Sequence, residues 1–423
     1  MKTKIQIVKG TRDFYPEQMA LRNWLYANMQ AAAQMFGYQE YDGPFIETLN
    51  LYAARSGEEL VKEQAFVFND RSGEQITLRP ELTPSLARMV ATRAAQLPRP
   101  IRWWSFGPFW RYERPQKGRS REFFQWNVDL LGVESPAADA ELASVAATFF
   151  QLIGLTPNEI KLQFNNRRLM DSEIAALGLV DKKTDIFRLI DRRDKMNAES
   201  WDKYAGELGV TPAQLDSLKA SLANRDLWQK SDECQAFVES AQALGLSDYL
   251  EYDPTVIRGL DYYTGTVLEA RDREGEFRAI LGGGRYDNLV SDVGGDRLPG
   301  VGFALGDVVI GLVAQKYGKV PPLRTSPAEV LVTIFDKAGV TEALKLAGEL
   351  RAAGLRAEWY PEPAKLDKQL KYADATGVRF ALILGPDELA QGAVTVKDLQ
   401  TRTQAVCARA EVVKTIRQKR STD

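Results

Sequence analysis

A run of aromatic, then basic, then again aromatic residues constrains the fold of this chain most. The first strand-like segment contains Trp104, Phe106 and Phe109, and the second runs from Phe123 to Val128. The polar segment between them carries basic residues at Arg114, Lys117, Arg119 and Arg121. This pattern predicts two antiparallel strands joined as a hairpin. Such a hairpin packs its base into the core and offers its charged tip to a polyanion.

Two further segments place unusual residue types close together. Residues 258–269 read Arg-Gly-Leu-Asp-Tyr-Tyr-Thr-Gly-Thr-Val-Leu-Glu, and residues 282–287 read Gly-Gly-Gly-Arg-Tyr-Asp. The first is too specific for a generic strand and hairpin, because a cation, a carboxylate and two tyrosines precede a glycine turn. The glycine run indicates either a close approach of backbone to a substrate or a tight turn from strand to helix.

The composition excludes several kinds of chemistry. The chain contains no histidine, which excludes histidine general bases, histidine-ligated metals and imidazole-based triads. Cys234 and Cys407 belong to no CxxC pattern, which argues against a disulfide framework or a zinc site and favours a reducing compartment. No apolar run approaches the roughly 20 residues that span a bilayer, and the N-terminal residues lack an apolar core. We therefore expect a cytoplasmic protein with no membrane segment.

Length and charge bound the architecture and the partners. A chain of 423 residues with 44% hydrophobic residues is long enough for two or three domains. The net charge is only −2, so a polyanion would have to be bound by local basic clusters rather than by a generally basic surface.

The periodicity of apolar residues changes along the chain. Pro16 is well placed to open a helix that reaches about Phe36. Residues 165–249 are polar with a helical pattern, which predicts a helical insertion. Residues 318–327 form a linker rich in glycine and proline. In the tail that follows, strand-like segments at 330–334, 357–360 and 380–384 alternate with helices at about 341–353 and from about 366. This alternation predicts a small α/β domain with crossover helices.

Several of these segments resemble one family. Phe109–Gln125 resembles motif 2 of class II aminoacyl-tRNA synthetases in the form that histidyl-tRNA synthetases have, and Arg258–Gly265 resembles the histidine-recognition peptide of that family. Gly43–Glu47 is similar to motif 1, and Val301–Gly306 is similar to motif 3. The resemblance extends from Gly10 into the tail.

The resemblance implies an α+β fold and a homodimer. The class II catalytic domain, an antiparallel sheet flanked by helices, is expected over residues 1–320 and the helical insertion over about 166–250. A C-terminal α/β anticodon-binding domain, of the kind found in class IIa synthetases, is expected over residues 328–423. The implied activity is the reaction of histidine with ATP, assisted by Mg²⁺, to give histidyl-adenylate, and then transfer of histidine to tRNA(His).

The resemblance also implies roles for individual residues. Arg111 and Arg258 are the expected catalytic cations at the α-phosphate, where two anions must meet. The residues expected to bind histidine are Glu81 and Thr83 at the amino group, Asp129 and Tyr263 at the imidazole, and Gln125 and Tyr262 around them. The residues expected to bind ATP are Arg111, Glu113, Arg119 and Phe123, and those expected to meet the tRNA acceptor end are Gln116 and Arg121. No protein-bound metal site is expected.

Two positions depart from the family pattern. The family usually has glutamate where this chain has Asp129, so the carboxylate lies one methylene further back. The arginine that contacts the γ-phosphate in motif 3 falls on Val309. Either Arg119 or Arg121 takes over that contact, or the chain has lost adenylation.

Two alternative functions remain open on the sequence. The regulatory paralogue of ATP phosphoribosyltransferase shares the catalytic fold and binds histidine without charging tRNA, and Val309 favours it. The basic loop of motif 2, the peptide 258–265 and the tail domain argue against it. A class IIa synthetase for threonine, proline or glycine would not explain residues 258–265, and the zinc-dependent threonyl site lacks its ligands here.

Overall fold

The computed structural model describes residues 5–53, 60–116, 118–257 and 263–420. Its contacts divide the chain into two compact units. The larger unit contains Met1–Asp13 and Arg22–Pro321, and the smaller unit contains Phe14–Leu21 and Pro322–Asp423.

The larger unit is built on an eight-stranded sheet with the strand order β1-β5-β6-β11-β10-β9-β7-β8. Its strands, in chain order, are β1 Gln39–Glu40, β5 Ile101–Trp110, β6 Glu122–Leu131, β7 Ile160–Asn166, β8 Leu250–Tyr252, β9 Thr266–Asp272, β10 Leu281–Tyr286 and β11 Gly300–Gly306. The two outer pairs, β1 with β5 and β7 with β8, are parallel, and all the inner pairs are antiparallel. The antiparallel sheet predicted for this part of the chain is therefore confirmed.

The predicted hairpin forms the centre of this sheet. Strands β5 and β6 pair over their full length, from Ile101 opposite Leu131 to Trp110 opposite Glu122. Because side chains alternate between the two faces of a strand, Trp126 and Val128 of β6 point to one face, where both are fully buried. The Trp126 ring lies 5.2 Å from that of Phe149 in the helix behind the sheet. The middle of the other face of β6 carries the polar side chains of Gln125, Asn127 and Asp129.

Helices surround the sheet in the described part of the larger unit. Those outside the insertion are α1 Pro16–Met35, whose first residues belong to the smaller unit, α2 Leu49–Ala53, α3 Thr83–Arg93, α4 Pro136–Leu152, α10 Leu289–Asp292 and α11 Asp307–Lys316. Those between β7 and β8 are α5 Arg167–Ala176, α6 Lys183–Asp191, α7 Ala198–Glu207, α8 Pro212–Ala223 and α9 Asp232–Ala243. The segment between β7 and β8 is thus helical, as its polar, helix-period pattern predicts.

Residues that precede the hairpin in the sequence form a separate three-stranded antiparallel sheet. It has the order β2-β4-β3, with β2 Ile46–Thr48, β3 Phe66–Asn69 and β4 Gln75–Leu78. Phe45, Ile46, Val67 and Phe68 around this sheet are exposed. Ile46 and Phe68 share one face of the sheet, and Val67 lies on the other. Exposed apolar side chains grouped in this way are typical of an interaction surface.

The smaller unit contains a five-stranded sheet of order β13-β12-β14-β15-β16. Its elements are β12 Val330–Val332, α12 Val340–Ala352, β13 Ala357–Trp359, α13 Leu366–Thr376, β14 Phe380–Ile383, α14 Pro386–Ala390, β15 Ala393–Asp398, β16 Thr403–Ala408 and α15 Val412–Arg420. The parallel pairing of β12 with β13 and with β14 confirms the predicted crossover arrangement. The antiparallel strands β15 and β16 and the final helix were not predicted.

Within the described ranges, no helix is both long enough and apolar enough to cross a membrane.

Candidate active site

Two adjoining cavities open above the polar face of the large sheet. One, the Phe123 cavity, is lined among others by Arg111, Glu113, Arg119 and Phe123. The other, the Asp129 cavity, is lined among others by Glu81, Thr83, Gln125, Asp129 and Tyr263. The residues that line both are Arg111, Arg119, Gln125, Gly282 and Ala304. The structure therefore gathers the described residues expected to bind ATP around one cavity and those expected to bind histidine around its neighbour.

Small residues on two neighbouring strands leave space for these cavities. Gly302 and Ala304 of β11 pair with Asp129 and Asn127 of β6, and Gly282 of β10 pairs with Ala304. A Cβ atom at Gly302 would collide with the Asp129 carboxylate. The glycine run 282–284 lies within strand β10. It therefore does not form the turn from strand to helix, which is one of the two structures that the sequence indicates for it.

Asp129 is a buried carboxylate with one strong donor. It is 3% exposed, and its Oδ1 accepts a 2.6 Å hydrogen bond from the Tyr286 hydroxyl. Burial raises the pKa of Asp129 from 3.8 to about 7, although the hydrogen bond from Tyr286 opposes the shift. A carboxylate in this environment changes its charge near neutral pH.

Glu81 and Thr83 come from the start of helix α3. Thr83 is the first residue of the helix, and Glu81 is buried just before it. The carbonyl oxygen of Glu81 accepts a 3.3 Å hydrogen bond from the hydroxyl of Tyr52. Tyr263 approaches the cavity from the segment before β9, and its ring lies so close to Gly284 that a Cβ there would be only 3.0 Å from it. The Asp129 cavity is thus lined by two carboxylates, two amides and two tyrosines.

Arg111 lies where the two cavities meet. It directly follows β5, its backbone N–H donates to the carbonyl of Arg121 at 2.9 Å, and its Nε donates to the carbonyl of Pro80 at 3.0 Å. Its guanidinium carbon lies 5.4 Å from the centre of the Phe123 ring. Glu113 and Arg119 form a 2.8 Å ion pair nearby. The pair offsets the charge of Arg119, whereas Arg111 makes no ion pair within the described ranges.

The two residues expected at the tRNA acceptor end lie on the hairpin loop, outside both cavities. The backbones of Gln116 and Arg119 hydrogen-bond to each other at the exposed tip. The guanidinium of Arg121 lies 3.9 Å above the Tyr112 ring. Arg258 and Tyr262, expected to contact ATP and histidine, lie outside the described residues.

Three further residues of the cavities were missed by the sequence analysis. Asn127 and Tyr286 line the Asp129 cavity, and Arg278 lines the Phe123 cavity. Asn127 could have been found, because it alternates with Gln125 and Asp129 along one strand. Arg278 belongs to a charged loop between β9 and β10 and has no sequence pattern that distinguishes it from a surface arginine.

The arginine of the Gly-Gly-Gly-Arg-Tyr-Asp segment is structural. Arg285 is 2% exposed and pairs with the fully buried Asp139 at 2.5 Å. Its guanidinium also donates to the carbonyls of Val133 and Ser135, at 3.0 and 3.2 Å. These contacts hold β10 against the start of helix α4, on the side of the sheet away from the cavities.

Comparison with known proteins decides the family. Residues 10–306 match the family model of histidyl-tRNA synthetases. The chain belongs to the histidyl-tRNA synthetase family. Residues 329–419 also match the model of an anticodon-binding domain. The chain is 38% identical to a histidine–tRNA ligase of Opitutus terrae over 435 aligned positions that cover 99% of both chains.

Solved structures show the same fold. A histidyl-tRNA synthetase of Nostoc sp. PCC 7120 superposes with a TM-score of 0.85 at 24% identity and covers 99% of this chain and all of its own. A chain from Bacillus halodurans described as an ATP phosphoribosyltransferase regulatory subunit/histidyl-tRNA synthetase superposes with a TM-score of 0.72 at 20% identity, covering 88% of this chain. At these identities the likeness concerns the fold alone, and the fold does not separate the two functions.

The departure from the histidyl-tRNA synthetase pattern at position 309 can now be located. Val309 lies in the first turns of α11, is buried and lines the Phe123 cavity. Asp307, the first residue of the same helix, accepts hydrogen bonds from the guanidinium of Arg12 at 2.9 Å and from the backbone N–H of Phe124 at 3.2 Å. The helix therefore keeps its position beside the cavity, while the side chain at 309 carries no charge.

Proposed function

We propose that this chain is a histidine–tRNA ligase that first forms histidyl-adenylate and then transfers histidine to tRNA(His). One observation carries the proposal: a cavity with polar groups suited to histidine adjoins a second cavity suited to ATP, and Arg111 lies at their junction. In the first step a carboxylate oxygen of histidine bonds to the α-phosphorus of ATP, and pyrophosphate leaves. In the second, a hydroxyl at the 3′ end of tRNA attacks the carbonyl carbon, and AMP leaves.

We assign histidine to the Asp129 cavity. The ammonium group would bind near Glu81 and Thr83, because the carboxylate of Glu81 is buried and offers a charge-assisted hydrogen bond. The imidazole N–H would donate to Asp129, whose carboxylate is oriented by Tyr286. Gln125, Tyr262 and Tyr263 would complete the pocket. Sites built on such hydrogen bonds reject analogues without the matching group by roughly 10⁴ to 10⁵.

We assign ATP to the Phe123 cavity. The adenine would stack on Phe123 and donate its amino group to Glu113. Arg111 would contact both the histidine carboxylate and the α-phosphate, since a guanidinium can hold two oxyanions in fixed geometry. Arg258 would be the second cation there. With the reactants held by fixed positive charge, the reaction needs positioning and charge stabilisation rather than a protein base, which fits a chain without histidine.

Mg²⁺ would enter as a complex with ATP. Glu113 and Asp307 are the carboxylates that line the Phe123 cavity, and Mg²⁺ typically binds phosphates, water and one or two carboxylates. In the described ranges no cluster of three or more metal-binding side chains forms a cage. When bound, the ion would offset phosphate charge. The remaining positive charge comes from arginines.

Nucleic-acid binding, assembly and location complete the proposal. Gln116 and Arg121 on the hairpin loop would contact the acceptor end of tRNA(His), and the smaller unit would bind the anticodon. A homodimer would cover the exposed apolar side chains of Phe45, Ile46, Val67 and Phe68. The free thiols Cys234 and Cys407 suit the reducing cytoplasm.

The test is ATP–pyrophosphate exchange with each of the twenty amino acids, measured without tRNA. Exchange with histidine alone supports the ligase, and tRNA(His) charging in a second assay completes the test. Histidine binding without exchange would contradict the proposal and indicate the regulatory paralogue of ATP phosphoribosyltransferase. The buffer should contain Mg²⁺, with a parallel sample in excess chelator, in which exchange is expected to stop.

A further inference from the structure

Positive charge in the Phe123 cavity is scarce for a site that takes a triphosphate. Three described arginines line it, at positions 111, 119 and 278. Arg119 is paired with Glu113 at 2.8 Å, and the nearby Asp307 is paired with Arg12 at 2.9 Å. Arg278 is exposed and makes no ion pair or side-chain hydrogen bond within the described ranges. Arg111 and Arg278 are therefore the two guanidinium groups of the cavity left to bind an anion.

The two arginines occupy different parts of the site. Arg111 lines both cavities, so it lies next to the reacting α-phosphate in the proposed arrangement. Arg278 lines the Phe123 cavity but not the Asp129 cavity. In the proposed arrangement it is therefore placed away from the reacting carboxylate. Val309 likewise lines the Phe123 cavity and not the Asp129 cavity. Val309 itself contributes only methyl groups, directed towards Gly118 of the hairpin tip.

The backbone around Arg278 is fixed although its side chain is exposed. The fully buried carboxylate of Asp272 accepts hydrogen bonds from the N–H groups of Glu276 and Phe277, at 3.0 and 3.1 Å. On the other side, the N–H of Ile280 donates to the carbonyl of Ala270 at 2.8 Å. Arg278 is thus held between two anchored positions, which reduces the entropy lost when its guanidinium binds a ligand.

Helix α11 contributes to this anchoring. Its Lys316 ammonium forms 2.7 Å ion pairs with both Glu274 and Glu276 of the same loop. Lys316 follows Val309 by seven positions, about two helical turns, so the two side chains lie on one face of the helix. Helix α11 therefore presents the uncharged Val309 to the cavity. Further along the same face, its Lys316 holds the loop that carries Arg278.

We infer that Arg278 binds the outer phosphates of ATP, β and γ, and provides the cationic contact that position 309 lacks. The inference rests on the proposed ligase function. Neither Arg119 nor Arg121 is needed for this contact: Arg119 is committed to Glu113, and Arg121 lies over the Tyr112 ring outside the lining of the cavity. Arg278 is a specificity and binding residue for the nucleotide rather than for histidine.

The experiment compares Arg278→Gln with wild type in histidine-dependent ATP–pyrophosphate exchange. Loss of one charge-assisted contact is expected to raise the KM for ATP about tenfold to a hundredfold. The KM for histidine and the inhibition by AMP, which has no outer phosphates, should change less than about twofold. The matched control is Arg273→Gln in the same loop, because Arg273 donates to the carbonyls of Pro157 and Asp248 away from the cavity.

The outcomes separate the two claims. An unchanged KM for ATP in Arg278→Gln, with active wild type, overturns the inference and leaves the ligase function standing. Equal weakening of ATP and AMP also overturns it, because the arginine would then act on the nucleoside or on the shape of the site. Wild type without histidine-dependent exchange contradicts the proposed function itself.

Discussion

The hydroxyl of Tyr286 on β10 donates a 2.6 Å hydrogen bond to Oδ1 of Asp129 on β6. The bond passes over β11, the strand between them, because Gly302 has no side chain to block it. It orients a carboxylate that burial gives a pKa of about 7. The proposed recognition of the imidazole depends on this arrangement.

The pH dependence of histidine use should report Asp129. In the proposed arrangement an ionised Asp129 accepts a hydrogen bond from the imidazole N–H, so kcat/KM for histidine in wild type should fall as the pH is lowered through about 7. In Asp129→Asn the fall caused by Asp129 should be absent. Only the titration of the imidazole of free histidine, at about 6.5, should remain. KM for histidine should rise about tenfold or more in the variant. Exchange rates from pH 5.5 to 8.5 test this, and identical profiles would contradict it.

Stability should depend on the same proton. The folded-state pKa of Asp129 lies above its ordinary value of 3.8, so the folded chain holds the proton more tightly than the unfolded chain. The stability that protonated Asp129 contributes is fully present below about pH 4 and is lost as the pH rises through about 7. Between pH 5 and pH 8, the free energy of unfolding of wild type should fall by about 2 to 3 kcal/mol relative to Asp129→Asn. Urea titrations at both pH values measure the difference, and a constant difference would refute the buried charge.

Gly302→Ala should damage both packing and histidine binding. Its Cβ atom would collide with the Asp129 carboxylate, and overpacking of this kind typically costs about 1 to 3 kcal/mol. Gly206→Ala in helix α7 is a suitable control, because no atom lies within 4 Å of its Cβ position. Urea denaturation and the KM for histidine are the readouts. Equal stability of the two variants would contradict this prediction, because it would show that β6 and β11 accommodate the added methyl group at little cost in free energy.

Arg285→Leu should destabilise the larger unit strongly without acting on ligands directly. It would leave Asp139 buried without its partner, and breaking a buried pair in this way costs about 3 to 5 kcal/mol. Arg297→Leu serves as control, since the Arg297–Glu134 pair is about half exposed on both sides and such pairs contribute about 0 to 1 kcal/mol. If both variants unfold at the same urea concentration, Arg285 is not a structural residue.

Arg111→Ala should lower the rate of the chemical step more than the affinity for substrates. In the proposed arrangement the negative charge that develops at the α-phosphate loses the cation between the two cavities, and removal of one such stabilising group typically lowers kcat about 10²-fold to 10³-fold. Arg114→Ala is the matched control, because Arg114 is exposed on the same hairpin and lines neither cavity. Single-turnover formation of histidyl-adenylate separates chemistry from binding. Comparable rates for the two variants would remove Arg111 from the mechanism.

Local patterns in the sequence were sufficient for the elements that bury an apolar face. The hairpin of β5 and β6, helix α1 from Pro16 and the strands and helices of the tail up to β14 all follow from residue periodicity, because burial of a strand or a helix face requires that periodicity. The hairpin of β15 and β16 was missed. Its second strand is largely exposed, with Val406 as a solvent-facing apolar residue, so its pattern of burial is weak.

The sequence by itself determined the family, the residue types of the site and the absence of histidine side chains that could act as bases or ligands. These depend only on which side chains are present and in what order. The tertiary structure decided which of them meet. Asp129, Gly302 and Tyr286 are distant in sequence, and only the strand order β6-β11-β10 brings them together. The same sheet and its β9–β10 loop carry Arg278 to the cavity that Val309 lines. Contacts between residues far apart along the chain are set by strand pairing and packing, which no local pattern specifies.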